Sequence, residues 1–285
     1  MNRILAKQQL SEDVFRIRIA AADIARERRP GQFVIVQRDE LSERIPLTIA
    51  DACAAEGWIT LIFQAVGQGT HLLAELAVGE AITNVVGPLG QPTDIRKVGH
   101  VVCVGGGIGV APMYPIAQAM KQAGNRLTVI TGARTRSLLI LQEEMAAIAD
   151  RLIVVTDDGS AGRKALVTVP LKELCQETPP PDEVVAIGPP IMMKFCAETT
   201  RPFGIHTVVS LNTIMVDGTG MCGGCRVTVG GKTRFVCVDG PEFDGHQVDF
   251  DTMMRRLAAY KPIENRAHEQ CHLEIAARQL PQRPS

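Results

Sequence analysis

Nowhere along the 285 residues do about 18 consecutive apolar positions occur, so the sequence offers no helix able to span a bilayer. The opening Met1-Asn2-Arg3-Ile4-Leu5-Ala6-Lys7 lacks the apolar core of a secretory leader, and a cytoplasmic protein without membrane engagement is expected. An excess of either charge is missing too. With 30 basic and 31 acidic residues the formal net charge is -1, which gives no whole-chain field to gather nucleic acid or anionic lipid. A catalytic triad is also absent: His71, His100, His206, His246, His268 and His272 stand outside any nucleophile motif. That absence agrees with redox chemistry carried by bound cofactors, where the protein need only bind and orient. Of the eight cysteines, Cys53, Cys103, Cys175 and Cys196 stand alone in apolar or mixed surroundings, which suits reduced, buried thiols better than a disulfide framework.

What is present begins with size: 46% hydrophobic content over this length buries a substantial core and should divide into two or three domains. The most informative stretch runs from Leu211 to Val227 and reads D-x4-C-x2-C, with a further cysteine eleven intervening residues on. Glycines around Cys222 and Cys225 let the backbone fold closely about a metal, and Cys237 is expected on the next strand, returned by a hairpin through Gly230-Gly231-Lys232-Thr233. The two-iron ferredoxin spacing is C-x4-C-x2-C…C, so Asp217 stands where the first cysteine would fall. A [2Fe-2S] cluster on Asp217, Cys222, Cys225 and Cys237 fits. Zinc on the three cysteines with His246, Cys271 or Asp217 also fits the arithmetic, as does no metal at all.

From the start to about Thr93, short runs at Asp13–Ala20, Gln32–Gln37, Trp58–Ala65 and Ala81–Val86, punctuated by Pro30-Gly31, Glu56-Gly57, Gly79 and Gly87-Pro88, predict an antiparallel barrel. Within it, Arg44-Ile45-Pro46-Leu47-Thr48 and Phe63-Gln64-Ala65-Val66-Gly67-Gln68-Gly69-Thr70 stand out. A Gly-x-Gly-Thr turn opening a helix at His71–Leu76 presents N–H groups to an anion such as a pyrophosphate, although Thr is also an ordinary helix cap. The apolar strand His100–Val104 then runs into Gly105-Gly106-Gly107-Ile108-Gly109 and a helix over Met113–Ala123, a phosphate-loop pattern without the full G-x-G-x-x-G and distant acid. Strands at Leu127–Thr131, Leu152–Thr156 and Glu183–Ile187 alternate with helices at Leu138–Ile148 and Ile191–Thr199, which predicts a parallel α/β sheet. Arg134, Asp157, Asp158 and Gly188 fall in the loops at its carboxyl edge, where such sheets bind ligands. A helix is expected at Asp251–Tyr260, followed by an amphipathic run around His268–Leu280.

The order of R-I-P-L-T and V-G-Q-G-T, then G-G-G-I-G-V-A-P and G-P-P-x-M-M, then D-x4-C-x2-C-x11-C resembles the ferredoxin–NADP reductase superfamily, in the branch of dihydroorotate dehydrogenase electron-transfer subunits. Within that branch it is most similar to the small (alpha) subunits of NADH-dependent ferredoxin:NADP oxidoreductases. Nearly the whole chain takes part. The resemblance implies a multidomain fold: a β-barrel for FAD over residues 1–95, an α/β domain for NAD(H) over 96–210, and a small β-rich [2Fe-2S] domain with a helical tail over 211–285. Arg44, Pro46, Leu47 and Thr48 would line the flavin and its phosphates, with Thr48 beside the isoalloxazine, and Phe63, Gln64, Gly67, Gly69 and Thr70 would complete that site. Gly105, Gly106, Gly107, Ile108 and Gly109 would form the nicotinamide-nucleotide loop, with Arg134, Asp157 and Gly188 at its rim. The implied partner is a larger FAD/iron–sulfur flavoprotein subunit, with ferredoxin reached through the complex. In the wider superfamily the flavin motif is R-x-Y-[ST]; here Leu47 holds the tyrosine position and Arg44 sits one residue early. Asp217 in place of a cysteine favours the ferredoxin:NADP oxidoreductase subunits over a dihydroorotate-oxidising assembly. A zinc-containing nucleotide-binding module without turnover is the alternative of another class, and Arg134-Thr135-Arg136-Ser137 leaves NAD against NADP open.

Overall fold

Seven strands build the N-terminal third: β1 (Asn2–Ser11), β2 (Val14–Ala20), β3 (Phe33–Gln37), β4 (Ile45–Cys53), β5 (Trp58–Gln64), β6 (Ala81–Ile82) and β7 (Asn84–Leu89), with short helices α1 (Ala22–Glu27) and α2 (Gln68–Glu75). The computed structural model describes residues 2–264 and 266, so the amphipathic run expected at 268–280, with His268, Cys271 and His272, lies outside the described residues. The strands pair antiparallel in the order β6-β1-β2-β5-β4-β3-β7. Only Thr83 separates the strands at the two ends of that order, so the sheet curls into a nearly closed barrel. Alternation decides the two faces. Ile17, Ile19, Val34, Val36, Ile49, Leu61 and Phe63 fill the interior, whereas Ala50 and Ile62 face outward onto the next unit.

The second unit is the expected parallel sheet. Its strands β8 (His100–Gly106), β9 (Arg126–Ala133), β10 (Arg151–Thr156), β11 (Arg163–Lys164), β12 (Glu183–Ile187) and β13 (His206–Ser210) lie in the order β11-β10-β9-β8-β12-β13. Helices α3 (Val110–Gln122), α4 (Gln142–Ile148), α5 (Thr168–Cys175) and α6 (Pro190–Thr200) cover both faces, which is why β8 and β12 are buried along their whole length. The helix expected at 138–148 is broken. Ile140 and Leu141 are both buried, and Leu141 takes φ 56° to place its side chain inward, so α4 starts only at Gln142.

The last segment holds the hairpin β14 (Arg226–Val229) and β15 (Lys232–Phe235), one helical turn α7 (Val236–Asp239), β16 (Glu242–Asp244) and α8 (Phe250–Ala258). Cys237 therefore lies on a helical turn and not on the expected strand, because the Phe235 N–H donates to Asp239 Oδ2 at 2.7 Å and curls the chain there. β16 returns to pair antiparallel with β13 and completes the second sheet. One apolar core joins all three regions, from Phe33 and Ile35 of the barrel through Val104 and Val209 to Met215, Cys225 and Cys237. No helix among the described residues is long and apolar enough to cross a membrane.

The connection between barrel and sheet is strapped down at β16. Gln91 N–H donates to the Gly240 carbonyl at 2.6 Å, Thr93 N–H to Pro30 at 2.9 Å, and Thr93 Oγ1 to Glu242 Oε1 at 2.6 Å. Burial beneath this strap, with Glu183 adding like charge, pushes the Glu242 carboxyl up to about 7 from an ordinary 4.5. The folded chain therefore holds a proton there that the unfolded chain releases, and stability falls as pH rises from about 4.5, reaching its full loss above about 7. Glu242→Gln should remove this slope. Between about pH 5.5 and pH 8.5 the native chain is expected to lose about 2 kcal/mol more than the glutamine variant in chemical denaturation. Parallel pH profiles for the two proteins would discard Glu242 as the source.

Candidate functional site

The loop from Met215 to Cys225 is shaped by its own carboxylate. Asp217 Oδ1 accepts from Thr219 N–H at 2.6 Å and Thr219 Oγ1 at 3.2 Å, and Oδ2 accepts from Cys222 N–H at 2.6 Å. These donors, Thr219 N–H first, bring the Asp217 carboxyl down to about 2, so it is an anion at any physiological pH, with a lone-pair site on Oδ2 still free for a ligand. Cys225 and Cys237 are buried with sulfurs 3.2 Å apart, and Gly224 N–H points at Cys222 Sγ from 3.5 Å. Burial, then the neighbouring Cys225, pushes the Cys237 thiol up; a metal ion reverses that balance and drives the proton off. Two thiolates on one tetrahedral ion lie about 3.8 Å apart for metal–sulfur bonds of about 2.3 Å, so the Cys225–Cys237 pair fits a shared metal after a small adjustment. Among the described residues no three His, Cys, Asp or Glu side chains converge as a single ion requires. A two-iron cluster asks for less convergence, because its four ligands serve two metals in pairs.

Arginines hold the outward carbonyls of this loop. Arg226 Nη1 donates to Gly223 O at 3.1 Å, Arg256 Nη2 to Gly224 O at 3.2 Å, and Arg44 of the barrel reaches Val216 O at 2.7 Å and Asp217 O at 3.4 Å. Gly218, at φ 80°, lies against Ile35 and Leu89, where a Cβ would meet their side chains at 2.9 and 2.7 Å. The loop is seated on the barrel wall.

Arg44 was expected at the flavin phosphates; in this structure its guanidinium is taken up by the Val216 and Asp217 carbonyls. The turn at Gly67–Thr70 instead holds the neighbouring residue: Gly69 N–H, in the first turn of α2, donates to Glu43 Oε2 at 3.2 Å. A carboxylate oxygen there stands in for a phosphate oxygen, so the turn suits the pyrophosphate of FAD. Thr70 Oγ1 is committed within the turn, accepting from Val66 and Gly67 N–H and donating to Gly67 O. Leu47 and Phe63 bury their side chains in the barrel core, which leaves their main chain to face a ligand. Pro46, Thr48 and Gln64 are part-exposed on neighbouring strands.

In the parallel sheet, β8 ends in Gly105-Gly106, a tight turn spans Gly107–Gly109, and α3 starts at Val110. Gly107 takes φ 55° and a Cβ built there meets nothing within 4 Å, which describes an open cradle at a helix start. Gly109 is pressed against the backbone of Ile187 and Gly188, while Ile108 is half-buried beside them. Gly188 packs on Gly106, so two of the expected glycine loops meet. Arg134 and Asp157 are exposed at the ends of β9 and β10, joined through Asp157 N–H to Ala133 O at 3.1 Å and Asp158 N–H to Arg134 O at 3.2 Å. Away from these sites, Cys103, Cys175 and Cys196 are buried, free, and shifted toward the neutral thiol by desolvation, as their isolation in sequence suggests.

Curated relatives share this layout. A homolog of the dihydroorotate dehydrogenase B (NAD(+)) electron-transfer subunit from Thermotoga maritima is 49% identical over 94% of this chain and 95% of its own. The electron-transfer subunit of Bacillus caldolyticus dihydroorotate dehydrogenase B is 32% identical over 86% and 96%. The chain belongs to the dihydroorotate dehydrogenase B electron-transfer subunit family. For this member of the family, the model of the iron–sulfur cluster binding domain of dihydroorotate dehydrogenase B matches residues 212–249, and that of the oxidoreductase NAD-binding domain matches 103–198. A solved structure of NADH-dependent reduced ferredoxin–NADP oxidoreductase, studied for flavin-based electron bifurcation, is similar at 48% identity and TM-score 0.89, covering 95% of this chain and 97% of that one. The superfamily expected from the motifs is thus the one found, and this electron-transfer subunit is an oxidoreductase component.

Proposed function

We propose that the chain binds FAD on its barrel, NAD(H) at the Gly105–Gly109 turn and a [2Fe-2S] cluster at Asp217, Cys222, Cys225 and Cys237, and passes electrons to a larger flavoprotein subunit in the cytoplasm, as in NADH-dependent ferredoxin:NADP oxidoreductase. The observation that carries this reading is the seating of the cysteine loop on the barrel wall, with Arg44 bonded to Val216 and Asp217 while the adjoining strand carries Thr48. The functional units run over 1–95, 96–210 and 211–285, with β16 of the third lent to the sheet of the second.

When bound, FAD exchanges a nicotinamide hydride for single electrons and the cluster carries them singly. The chain's own part is placement. Gly69 would give its N–H to the flavin pyrophosphate in place of Glu43, with Gly67 and Thr70 bonded to each other to shape the turn, Thr48 offers a hydroxyl at the ring, and Gly105, Gly106, Gly107 and Gly109 receive the nucleotide diphosphate, with Arg134, Asp157 and Gly188 at the rim. Cys225 and Cys237 would share one iron, leaving Asp217 and Cys222 for the other. Leu41, Val216 and Met221 are 99%, 50% and 89% exposed; Val216 and Met221 belong to the cluster loop, and Leu41 lies three residues before Arg44. Val216 and Met221 would thus put apolar side chains beside the cluster where the larger subunit approaches it. Service to a dihydroorotate-oxidising partner is the second reading, favoured by the named function of the Bacillus caldolyticus relative. Asp217 at the first ligand position favours the first.

Anaerobic NADH titration of the native chain and Asp217→Ala tests the assignment. In the native protein NADH should bleach the flavin band and then the iron–sulfur absorption. The variant should bleach its flavin and show little iron. Full iron content in Asp217→Ala would reject the carboxylate as a ligand, and a colourless native protein after anaerobic loading would reject the reading as a whole.

A further inference from the structure

A single register position explains where Arg44 goes. Ile45, Leu47 and Ile49 of β4 pack into the barrel, so Arg44, one residue before Ile45, lies on the opposite, outward face. An arginine at position 45 would share the face of Ile45, whose Cδ1 lies 3.0 Å from where a Gly69 Cβ would be, beside the pyrophosphate turn. Moved one residue earlier, the guanidinium instead spans the groove to the cluster loop, over 172 residues of sequence, and binds two successive carbonyls at 2.7 and 3.4 Å. Arg226 and Arg256 bind carbonyls at the far end of the same loop, but both come from the C-terminal segment itself. Among these three arginines only Arg44 belongs to the barrel.

We propose that Arg44 is a positioning residue, fastening the Val216–Asp217 end of the cluster loop to the flavin-bearing barrel and fixing the separation of the two redox sites. This rests on the cofactor assignment above. Two chemical consequences follow. Binding the carbonyl ends of consecutive peptides turns their loop so that the Thr219 and Cys222 N–H groups stay aimed at the Asp217 carboxylate. A fixed cation beside a centre that gains negative charge on reduction also makes that reduction easier. Ile35 and Leu89 packed on Gly218 give the contact a hydrophobic floor, so the guanidinium sets alignment within a seat that already exists.

The test compares the native holoprotein with Arg44→Lys and Arg44→Met in bound FAD, in cluster midpoint potential followed by electron paramagnetic resonance, and in amide exchange over residues 217–224 with and without iron. All three proteins should hold equal FAD. Arg44→Met should have a more negative cluster potential and loop amides exchanging roughly ten- to a hundredfold faster, as expected for losing charged hydrogen bonds. Arg44→Lys, which keeps the charge and loses the two-carbonyl span, should recover the potential and only part of the protection. Loss of FAD with potential and exchange unchanged would make Arg44 a flavin ligand and overturn the proposal, as would three indistinguishable proteins. If the native chain takes up no iron, the cofactor assignment fails, and the exchange comparison in iron-free protein still decides the tether.

Discussion

Cys225→Ser is expected to yield a folded protein with a full complement of flavin and almost no iron. Cys225 is 1% exposed and its sulfur lies 3.2 Å from that of Cys237, so it is one of two buried donors facing one point. Serine has nearly the same shape but offers a harder, less acidic oxygen, which at neutral pH stays protonated and binds iron poorly. Loss of an outer hydrogen-bond partner already weakens metal sites about 10- to 100-fold, and removal of a direct donor should do more. The fold survives because Met215, Val227 and Val236 pack around the position without needing the metal. Cys53→Ser is the control, since Cys53 is half-buried on the barrel strand and outside the ligand spacing. Iron and flavin analysis of both variants decides: unchanged iron in Cys225→Ser, or equal loss in Cys53→Ser, would remove Cys225 from the ligand set.

The cysteine spacing and the glycine loops were legible in the sequence because each depends on local backbone chemistry. D-x4-C-x2-C can be read from separations alone, and the Gly105–Gly109 run follows a strand of apolar residues buried on both sides. What the sequence concealed were relations between distant segments. β16 shows nothing in its three residues that announces pairing with β13, nor that its Glu242 will take a bond from the distant Thr93. Glu43 has the look of a loop charge in sequence, and only the placement of α2 puts an N–H group beside it. Leu47 and Phe63 are drawn toward the flavin by motif position, while strand alternation, which is available from the same residues, puts their side chains in the barrel interior. The one-residue offset of Arg44 is visible in the sequence as well; the strand period of two, applied from Ile45 backward, turns its side chain away from the pyrophosphate turn.

Three glycines of the nucleotide turn should respond to alanine in three different ways, and the contrast separates binding from folding. At Gly109 the added Cβ would overlap the Ile187 carbonyl oxygen and lie 2.7 Å from Gly188 Cα, where neither neighbour is a side chain that can swing aside. Forcing that backbone apart is expected to cost about 3 kcal/mol of stability, and it separates the start of α3 from the Gly188 loop. At Gly106 the methyl meets mainly the thioether of Met192, a flexible chain end that can move, so Gly106→Ala should be tolerated with a modest loss in nucleotide affinity. Gly107 is the informative case. Its methyl would enter open space, and the left-handed φ of 55° adds only about 1 kcal/mol of strain. The space it enters is the cradle expected to take the nucleotide diphosphate, so Gly107→Ala should lose NADH binding by far more than its small change in stability accounts for. Urea denaturation beside NADH titration of flavin bleaching measures both quantities in each variant. A Gly107→Ala protein that binds NADH like the native chain would show that the diphosphate lies elsewhere, whereas a Gly109→Ala protein of native stability would mean that the two loops do not touch as closely as Gly109 and Gly188 require.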